Sequence, residues 1–168
     1  MTARELHDMV YEAWSHVASP PEEDMKLMEW GWGELAARAF TGVAPMDVDT
    51  RSPGFHAATP LLDLPPPAAA AYLGTYLLSL LQSLEFQESI GLFDDLVTRP
   101  HTLTCLTDRL FWERVIRKHL SAPCLQALIQ VVRFLAVNRV ALALTGTQVE
   151  TLLELASESE ESRKLGGT

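Results

Sequence analysis

The chain has 168 residues, of which 48% are hydrophobic, and a formal net charge of −9 at pH 7. This length suits one domain with a substantial core, and the hydrophobic fraction excludes wholesale disorder. The negative charge argues against a nucleic-acid binder, because such proteins usually carry a basic face. It permits a basic protein partner, since complementary charge accelerates association.

Charge is spread unevenly along the chain. Residues 1–50 carry 10 acidic and 3 basic side chains, a net charge of −7. Residues 101–144 carry 2 acidic and 6 basic side chains, a net charge of +4. An acidic N-terminal third therefore accompanies one basic segment.

A first amphipathic helix is predicted over residues 3–18. Thr2 and Glu5 have the spacing of a capping box, in which each side chain satisfies a backbone N–H group of the other residue. Ser19 and Glu22 repeat this spacing and predict the start of a second helix.

The second predicted helix ends near Phe40 and has an unusual middle, Trp30-Gly31-Trp32-Gly33. Each glycine costs about 1 kcal/mol against alanine in a helix interior. Large indole rings packed beside small neighbours explain this sequence. The second interpretation is a tryptophan-lined contact surface, because tryptophan is enriched in binding hot spots.

Residues 43–63 have the composition of a loop, and this length is unusual for a connector in a compact domain. Within the loop, Asp47 and Asp49 have the i, i+2 spacing of carboxylates that bind magnesium at the end of a strand. No apolar strand precedes them, so turn formation explains the pair better.

The longest apolar run, residues 64–86, is predicted to form the core helix. Its proline triplet suits a helix entry, and the alanines that follow have the highest helix propensity. Bulky side chains then recur at helical period at Tyr72, Leu73, Tyr76, Leu77, Leu80, Leu81 and Leu84. Gly74 lies off this stripe. The run is too short and too interrupted for a membrane span, which needs about 20 apolar residues.

Four further helical segments are predicted at residues 88–97, 102–120, 121–138 and 147–155. The second of them has a possible break near Thr107. Thr147 and Glu150 have the spacing of a third capping box. Residues 140–144 fit either a helix or a short strand. Residues 157–168 are polar and are predicted to form a disordered tail.

The basic segment Arg109–Lys118 interleaves cations with Phe111 and Trp112. Such a pattern suits contact with nucleic acid or with an acidic partner. The alternative is an ordinary solvated helix face whose cations pair internally, for instance with the acidic N-terminal third. The internal interpretation is favoured, because charge-laced helices are common.

No catalytic or metal-binding pattern stands out. None of the histidines has another at the i, i+4 spacing that places two imidazoles on one helix face for zinc. Cys105 and Cys124 lie in apolar helical patterns and are predicted to be reduced, inert core thiols. We therefore expect no enzyme activity, no metal and no cofactor. Reduced thiols and a first segment without an apolar signal region favour a cytoplasmic location.

The predicted fold is all-α and single-domain, with residues 1–156 in an irregular helical bundle or helical-hairpin stack of six to seven helices. The leading functional hypothesis is a non-enzymatic, acidic protein-binding module, in its most concrete form an immunity-type inhibitor that occludes a basic partner such as a nuclease toxin. The alternative is a scaffold or adaptor subunit of a larger complex that binds a helix or peptide in an apolar groove. Neither hypothesis involves nucleic acid or a membrane. The candidate partner contacts are Glu22, Glu23, Asp24, Glu29, Trp30, Trp32, Glu34, Asp47 and Asp49.

Overall fold

The computed structural model describes residues 1–25, 39–52, 54–56, 60–90 and 98–166. Every regular element in these ranges is a helix, which confirms the all-α prediction. The α-helices are α1 (Ala3–Trp14), α2 (Pro60–Asp63), α3 (Pro66–Ile90), α4 (Thr98–Thr107), α5 (Arg109–Phe111), α6 (Arg117–His119), α7 (Ala122–Val137) and α8 (Gly146–Gly166). Short 3-10 helices occur at Glu22–Met25 and Pro45–Asp47, and a π-helical turn, Trp112–Ile116, joins α5 to α6. None of the described helices is long and apolar enough to cross a membrane.

The long helix α3 forms the centre of the core. The bulky residues of the predicted stripe, from Tyr72 to Leu84, are all buried, which confirms the prediction. Burial goes further than predicted, because every residue from 68 to 77 is buried, including Gly74. The reason is the close approach of α1, whose Trp14 ring atoms Cδ1 and Cδ2 would lie 2.6 Å from a Cβ atom added at Gly74.

The described part of the predicted loop 43–63 is attached to α3 by side-chain hydrogen bonds. Tyr72 Oη donates to the carbonyl of Phe40, just before this stretch, at 2.6 Å. Thr75 Oγ1 donates to the carbonyl of Pro45 at 2.5 Å. The buried hydroxyl groups of α3 and the carbonyl groups that accept from them therefore all have hydrogen-bond partners. This stretch therefore packs on the core helix, and it contains the second 3-10 helix and α2.

The first predicted capping box is confirmed. The backbone N–H of Thr2 donates to Oε2 of Glu5 at 2.7 Å, and the backbone N–H of Glu5 donates to Oγ1 of Thr2 at 3.2 Å. α1 ends at Trp14, earlier than predicted. At the second predicted box, residues 22–25 form a 3-10 helix, and most of the helix predicted to follow lies outside the described residues.

In the middle of the chain, α3 extends to Ile90, so the first residues of the helix predicted at 88–97 belong to α3. Residues 91–97 lie outside the described part of the chain. The break near Thr107 is confirmed, because α4 ends there and Asp108 caps α5. α7 matches its predicted range closely. Residues 138–143 form turns, neither helix nor strand.

The start of the last helix differs from the prediction. Thr145 and Gln148 form its capping box: the Thr145 N–H donates to Oε1 of Gln148 at 2.9 Å, and the Gln148 N–H donates to Oγ1 of Thr145 at 3.2 Å. The predicted pair, Thr147 and Glu150, lies two residues further on. Both pairs have the required residue types at the required spacing, so the spacing alone does not choose between them.

The end of the last helix also differs from the prediction. α8 continues to Gly166, so residues 157–166 are helical and do not form the disordered tail that their composition predicts. Arg117 contacts Glu158, and Arg133 contacts Glu160, in ion pairs between this helix and other parts of the fold. Partners distant in sequence therefore stabilise a segment that has little apolar surface of its own.

Candidate binding groove

α1 and α7 lie side by side and leave a groove between them. The sequence determines where α7 begins, because Ser121 caps the helix and Pro123 occupies its first turn. The buried thiol of Cys124 donates to the carbonyl of Ala13 at 3.2 Å, which ties the start of α7 to the end of α1. Small side chains at Ala13 and Ala127 leave open space beside this contact.

The groove consists of two adjoining hollows, and the main one has a volume of about 800 Å³. Its lining residues are Met1, Met9, Glu12, Ala13, His16, Val17, Ser121, Pro123, Gln126, Ala127 and Gln130. A second hollow of about 240 Å³ shares Met1 and Gln130 with the first and continues along α7 past Phe134 to Val137. From Pro123 to Val137 the two hollows follow α7 for about 20 Å.

The floor of the groove is mainly apolar. On the α1 side it consists of Met9, Ala13 and Val17, which are partly buried. On α7, apolar residues recur at intervals of three, four or seven positions, which places them on one face of the helix. These residues are Pro123, Ala127, Phe134 and Val137. The side chain of Val137 is 84% exposed at the open end of the groove.

One flank of α1 carries acidic side chains, and one of them lines the groove. Glu5, Asp8 and Glu12 are exposed and follow one another at i, i+3 and i+7, which places them on one flank of the helix. Glu12 itself lines the groove. We call these three residues the acidic rim. α1 also carries Arg4, so its net charge is −2, from three carboxylates and one guanidinium with the histidines neutral.

The opposite edge of the groove, on α7, presents no free positive charge. Its polar side chains at the two hollows are those of Ser121, Gln126, Gln130, Arg133 and Asn138. The one cation of α7, Arg133, has its Nη2 atom 2.8 Å from Oε2 of Glu160 in α8. The groove therefore has an apolar floor, an acidic edge on α1 and a nearly neutral edge on α7.

The partner contacts predicted from the sequence lie outside this groove. Glu22 and Glu23 are exposed in the first 3-10 helix, and Asp47 and Asp49 are exposed in or next to the second. None of these four side chains lines the groove. Asp49 Oδ1 accepts the backbone N–H of Arg51 at 2.9 Å, which is the turn-forming role predicted for it.

Of the other predicted contacts, Asp24 belongs to the first 3-10 helix. Glu29, Trp30, Trp32 and Glu34 lie outside the described residues, so both interpretations of the tryptophans stay predictions. The structure therefore describes an exposed acidic surface for part of the predicted set. It does not bring that part together with the groove.

The sequence analysis missed the groove because its two walls are far apart in the chain. One signal was present: α7 carries a second set of apolar residues, Pro123, Ala127, Phe134 and Val137, beside its buried stripe. A helix with two apolar faces indicates two neighbours. Only the pairing of α7 with α1 reveals that this face stays exposed at its two ends, Pro123 and Val137, whereas Ala127 is buried and Phe134 is half-buried.

Two cations of the basic segment, Arg109 and Arg117, pair internally, as the favoured interpretation predicted, but with a different partner. Arg109 Nη2 lies 2.8 Å from Glu154 Oε1, and its Nη1 lies 3.1 Å from Glu158 Oε2. Arg117 also contacts Glu158 and donates from Nε to Ser159 Oγ at 3.2 Å. These hydrogen bonds, first from Arg117 and then from Arg109, lower the pKa of Glu158. The acids belong to α8 and not to the N-terminal third.

A buried histidine and a buried cysteine meet in the core. His101 Nε2 lies 3.8 Å from Cys105 Sγ, and the His101 ring packs edge-on against Tyr76. Burial raises the pKa of the Cys105 thiol to about 12 and lowers the pKa of His101. The thiol therefore stays protonated at neutral pH, and this pair lacks the thiolate that a cysteine nucleophile needs. In the described part of the chain, no group of three or more His, Cys, Asp or Glu side chains is arranged to hold a metal ion.

The fold and the groove together define a class of protein: an all-α protein with an open apolar groove between two helices and an acidic rim on one of them. No family model matches the chain, and comparisons with curated proteins and with solved structures find no significant match. The functional argument therefore depends on the geometry of the groove.

Proposed function

We propose that this protein is a non-catalytic binding module that receives an apolar segment of another protein in the groove between α1 and α7. One observation carries the proposal: the groove follows α7 from Pro123 to Val137 with apolar residues on its floor. Grooves of this kind bind amphipathic helices through anchors at i, i+3, i+4 and i+7. The proposal develops the scaffold or adaptor hypothesis and assigns its binding site to this groove.

The shape of the groove favours a polypeptide over a small molecule. Small-molecule sites bury most of their ligand and direct a few polar groups at it. The groove is open along a length of about 20 Å, which is close to four turns of helix. Its polar lining groups lie on both edges, with Glu12 and His16 on the α1 side and Gln126 and Gln130 on α7. A segment of a partner protein matches both features.

The proposal is tested by selecting binders from a library of displayed peptides of about 16 residues and measuring their affinity for two matched variants. Val137 and Val140 are 84% and 86% exposed, and only Val137 lines the groove. We expect Val137→Glu to weaken binding of the selected peptides about tenfold or more, and Val140→Glu to leave it unchanged. Peptides that bind both variants as well as the parent protein would place their site elsewhere and overturn the proposal.

A second candidate is the immunity-type inhibitor of a basic partner, such as a nuclease toxin. The exposed carboxylates of Glu22, Glu23, Asp47 and Asp49 support it, because exposed acids accelerate association with a basic protein. The two candidates differ in the residues they need. The inhibitor depends on these acids outside the groove, whereas the scaffold depends on the apolar floor. In both, the buried reduced thiols Cys105 and Cys124 support a cytoplasmic setting.

A further inference from the structure

We propose that the occupant of the groove is an amphipathic helix whose apolar face enters the groove and whose basic flank lies along the acidic rim of α1. This inference rests on the proposed function and adds the chemistry of the partner. Three features carry it: the position of the rim, the neutrality of the opposite edge, and the exposure of the rim carboxylates.

The position of the rim matches the repeat of a helix. Glu5, Asp8 and Glu12 span two turns of α1, or about 10 Å. A second helix lying along the groove presents its own side chains at the same i, i+3 and i+7 intervals. Lysine or arginine at those positions of the occupant therefore lies on the side of the rim, where Glu12 is the carboxylate that lines the groove.

The neutrality of the opposite edge determines which flank of the bound helix faces α1 and which faces α7. On α7 the groove presents amides, and the guanidinium of Arg133 is held by Glu160. Cations on the flank facing α7 gain no comparable partner there. The favoured occupant is therefore basic on one flank and polar but uncharged on the other. This asymmetry selects one orientation of the helix in the groove, since opposed charges determine register.

The rim carboxylates are accessible to a partner. The side chain of Asp8 is 76% exposed, with Oδ1 3.7 Å from Nδ1 of His7. Oε2 of Glu5 accepts the Thr2 N–H, which leaves its other oxygen for a cation. That hydrogen bond lowers the pKa of Glu5, so this carboxylate is ionised at neutral pH. Glu12 is exposed and belongs to both the rim and the groove lining.

The test uses three synthetic helical peptides of about 18 residues with one leucine stripe. The first carries lysine along one flank, the second carries glutamate at the same positions, and the third contains the residues of the first in scrambled order. Binding is followed by fluorescence anisotropy and stopped-flow mixing at low and high salt. We expect the lysine peptide to bind the full chain, and the glutamate and scrambled peptides to bind at least about tenfold more weakly.

Two triple variants separate local complementarity from overall charge. The rim variant is Glu5→Gln, Asp8→Asn and Glu12→Gln, and glutamine at position 5 preserves the capping box. The control variant is Glu22→Gln, Glu23→Gln and Asp47→Asn, which changes the net charge equally away from the groove. We expect the rim variant to lower the association rate of the lysine peptide about tenfold and to flatten its salt dependence. The control variant should behave like the parent protein.

The outcomes distinguish this inference from the proposed function. If the lysine and glutamate peptides bind equally well and Val137→Glu weakens both, the groove binds peptides but the charge inference is overturned. If both triple variants weaken binding equally, net charge alone attracts the peptide and the inference is again overturned. If no peptide binds, or if Val137→Glu changes nothing, the proposed function itself fails.

Discussion

At the scale of single residues, the packing of α1 on α3 depends on a glycine, which has no side chain. Gly74 is buried within α3, where glycine normally costs about 1 kcal/mol against alanine. The indole of Trp14 occupies the space that a side chain at Gly74 would need, and its N–H donates to the carbonyl of Ala70 at 3.3 Å. Gly74 thus lowers the helix propensity of α3 at this position but permits a close contact with α1. That contact positions α1, which forms one wall of the groove.

We predict that Gly74→Ala destabilises the protein by about 1–3 kcal/mol, because the added Cβ would lie 2.6 Å from both Cδ1 and Cδ2 of the rigid Trp14 ring. The matched control is Gly146→Ala at the start of α8, where no atom lies within 4 Å of the added Cβ. The control should be neutral or slightly more stable. Urea denaturation measures both, and an equal effect of the two substitutions would contradict the packing argument.

The buried His101 makes stability depend on pH. Burial lowers the pKa of His101, so below the ordinary histidine value of about 6.5 the unfolded chain binds its proton more readily than the folded protein does. The contribution of neutral His101 to stability is therefore present above that pH and is lost as the pH falls below it.

We predict that His101→Gln reduces the loss of unfolding free energy between about pH 7.5 and about pH 5.5. The exposed His119 supplies the control, because His119→Gln should retain the parent pH dependence. Chemical denaturation at a series of pH values gives the two slopes. A parent-like slope in His101→Gln would mean that other groups cause the pH dependence.

At the scale of elements, α8 is held at its C-terminal half by charge and at its N-terminal half by apolar packing. Leu152, Leu155 and Ala156 are buried in the core. Beyond them, Glu158 contacts Arg109 and Arg117, and Ser159 is buried beside Arg117. The two halves therefore respond differently to pH. The first half keeps its apolar packing when the ion pair of Glu154 with Arg109 is lost, whereas the second half depends mainly on ionised carboxylates.

We predict that Glu158→Gln increases hydrogen exchange in residues 157–166 at neutral pH and leaves exchange in α3 unchanged. In the parent protein, acidification should have the same effect. The pKa of Glu158 is below its ordinary value of 4.5, so its stabilising contribution is present above that value and is lost as the pH falls through the lowered pKa. The exposed Glu161 gives the control variant, Glu161→Gln. Equal exchange in the two variants would show that Glu158 does not hold the helix end.

At the scale of the whole molecule, hydrophobic periodicity predicted where the helices lie, but it did not predict which helices pack against each other. The stripe from Tyr72 to Leu84 is apolar at helical period, and any compact fold buries it. The contact of Trp14 with Gly74 and the groove beside Val137 depend on which helices pack together. The apolar pattern within one helix does not reveal its packing partner. The helical segment 157–166 was missed for the same reason, since arginines distant in sequence hold its glutamates.

The coupling of α1 and α7 to the core also determines what an occupant of the groove does to the whole protein. Because α1 packs on α3 and α7 packs on α1, a ligand that binds between them stabilises only the native state. We predict that the lysine peptide, at a free concentration about 100 times its Kd, adds about 2.7 kcal/mol of stability, which for a chain of this size raises Tm by about 5–10 °C. The same increase is expected for Val140→Glu, whereas Val137→Glu, which binds about tenfold or more weakly, should gain at most about 1.4 kcal/mol, or half of that increase. Thermal scans at several peptide concentrations measure both. If Tm rose equally in both variants, the peptide would be stabilising the fold from a site other than the groove.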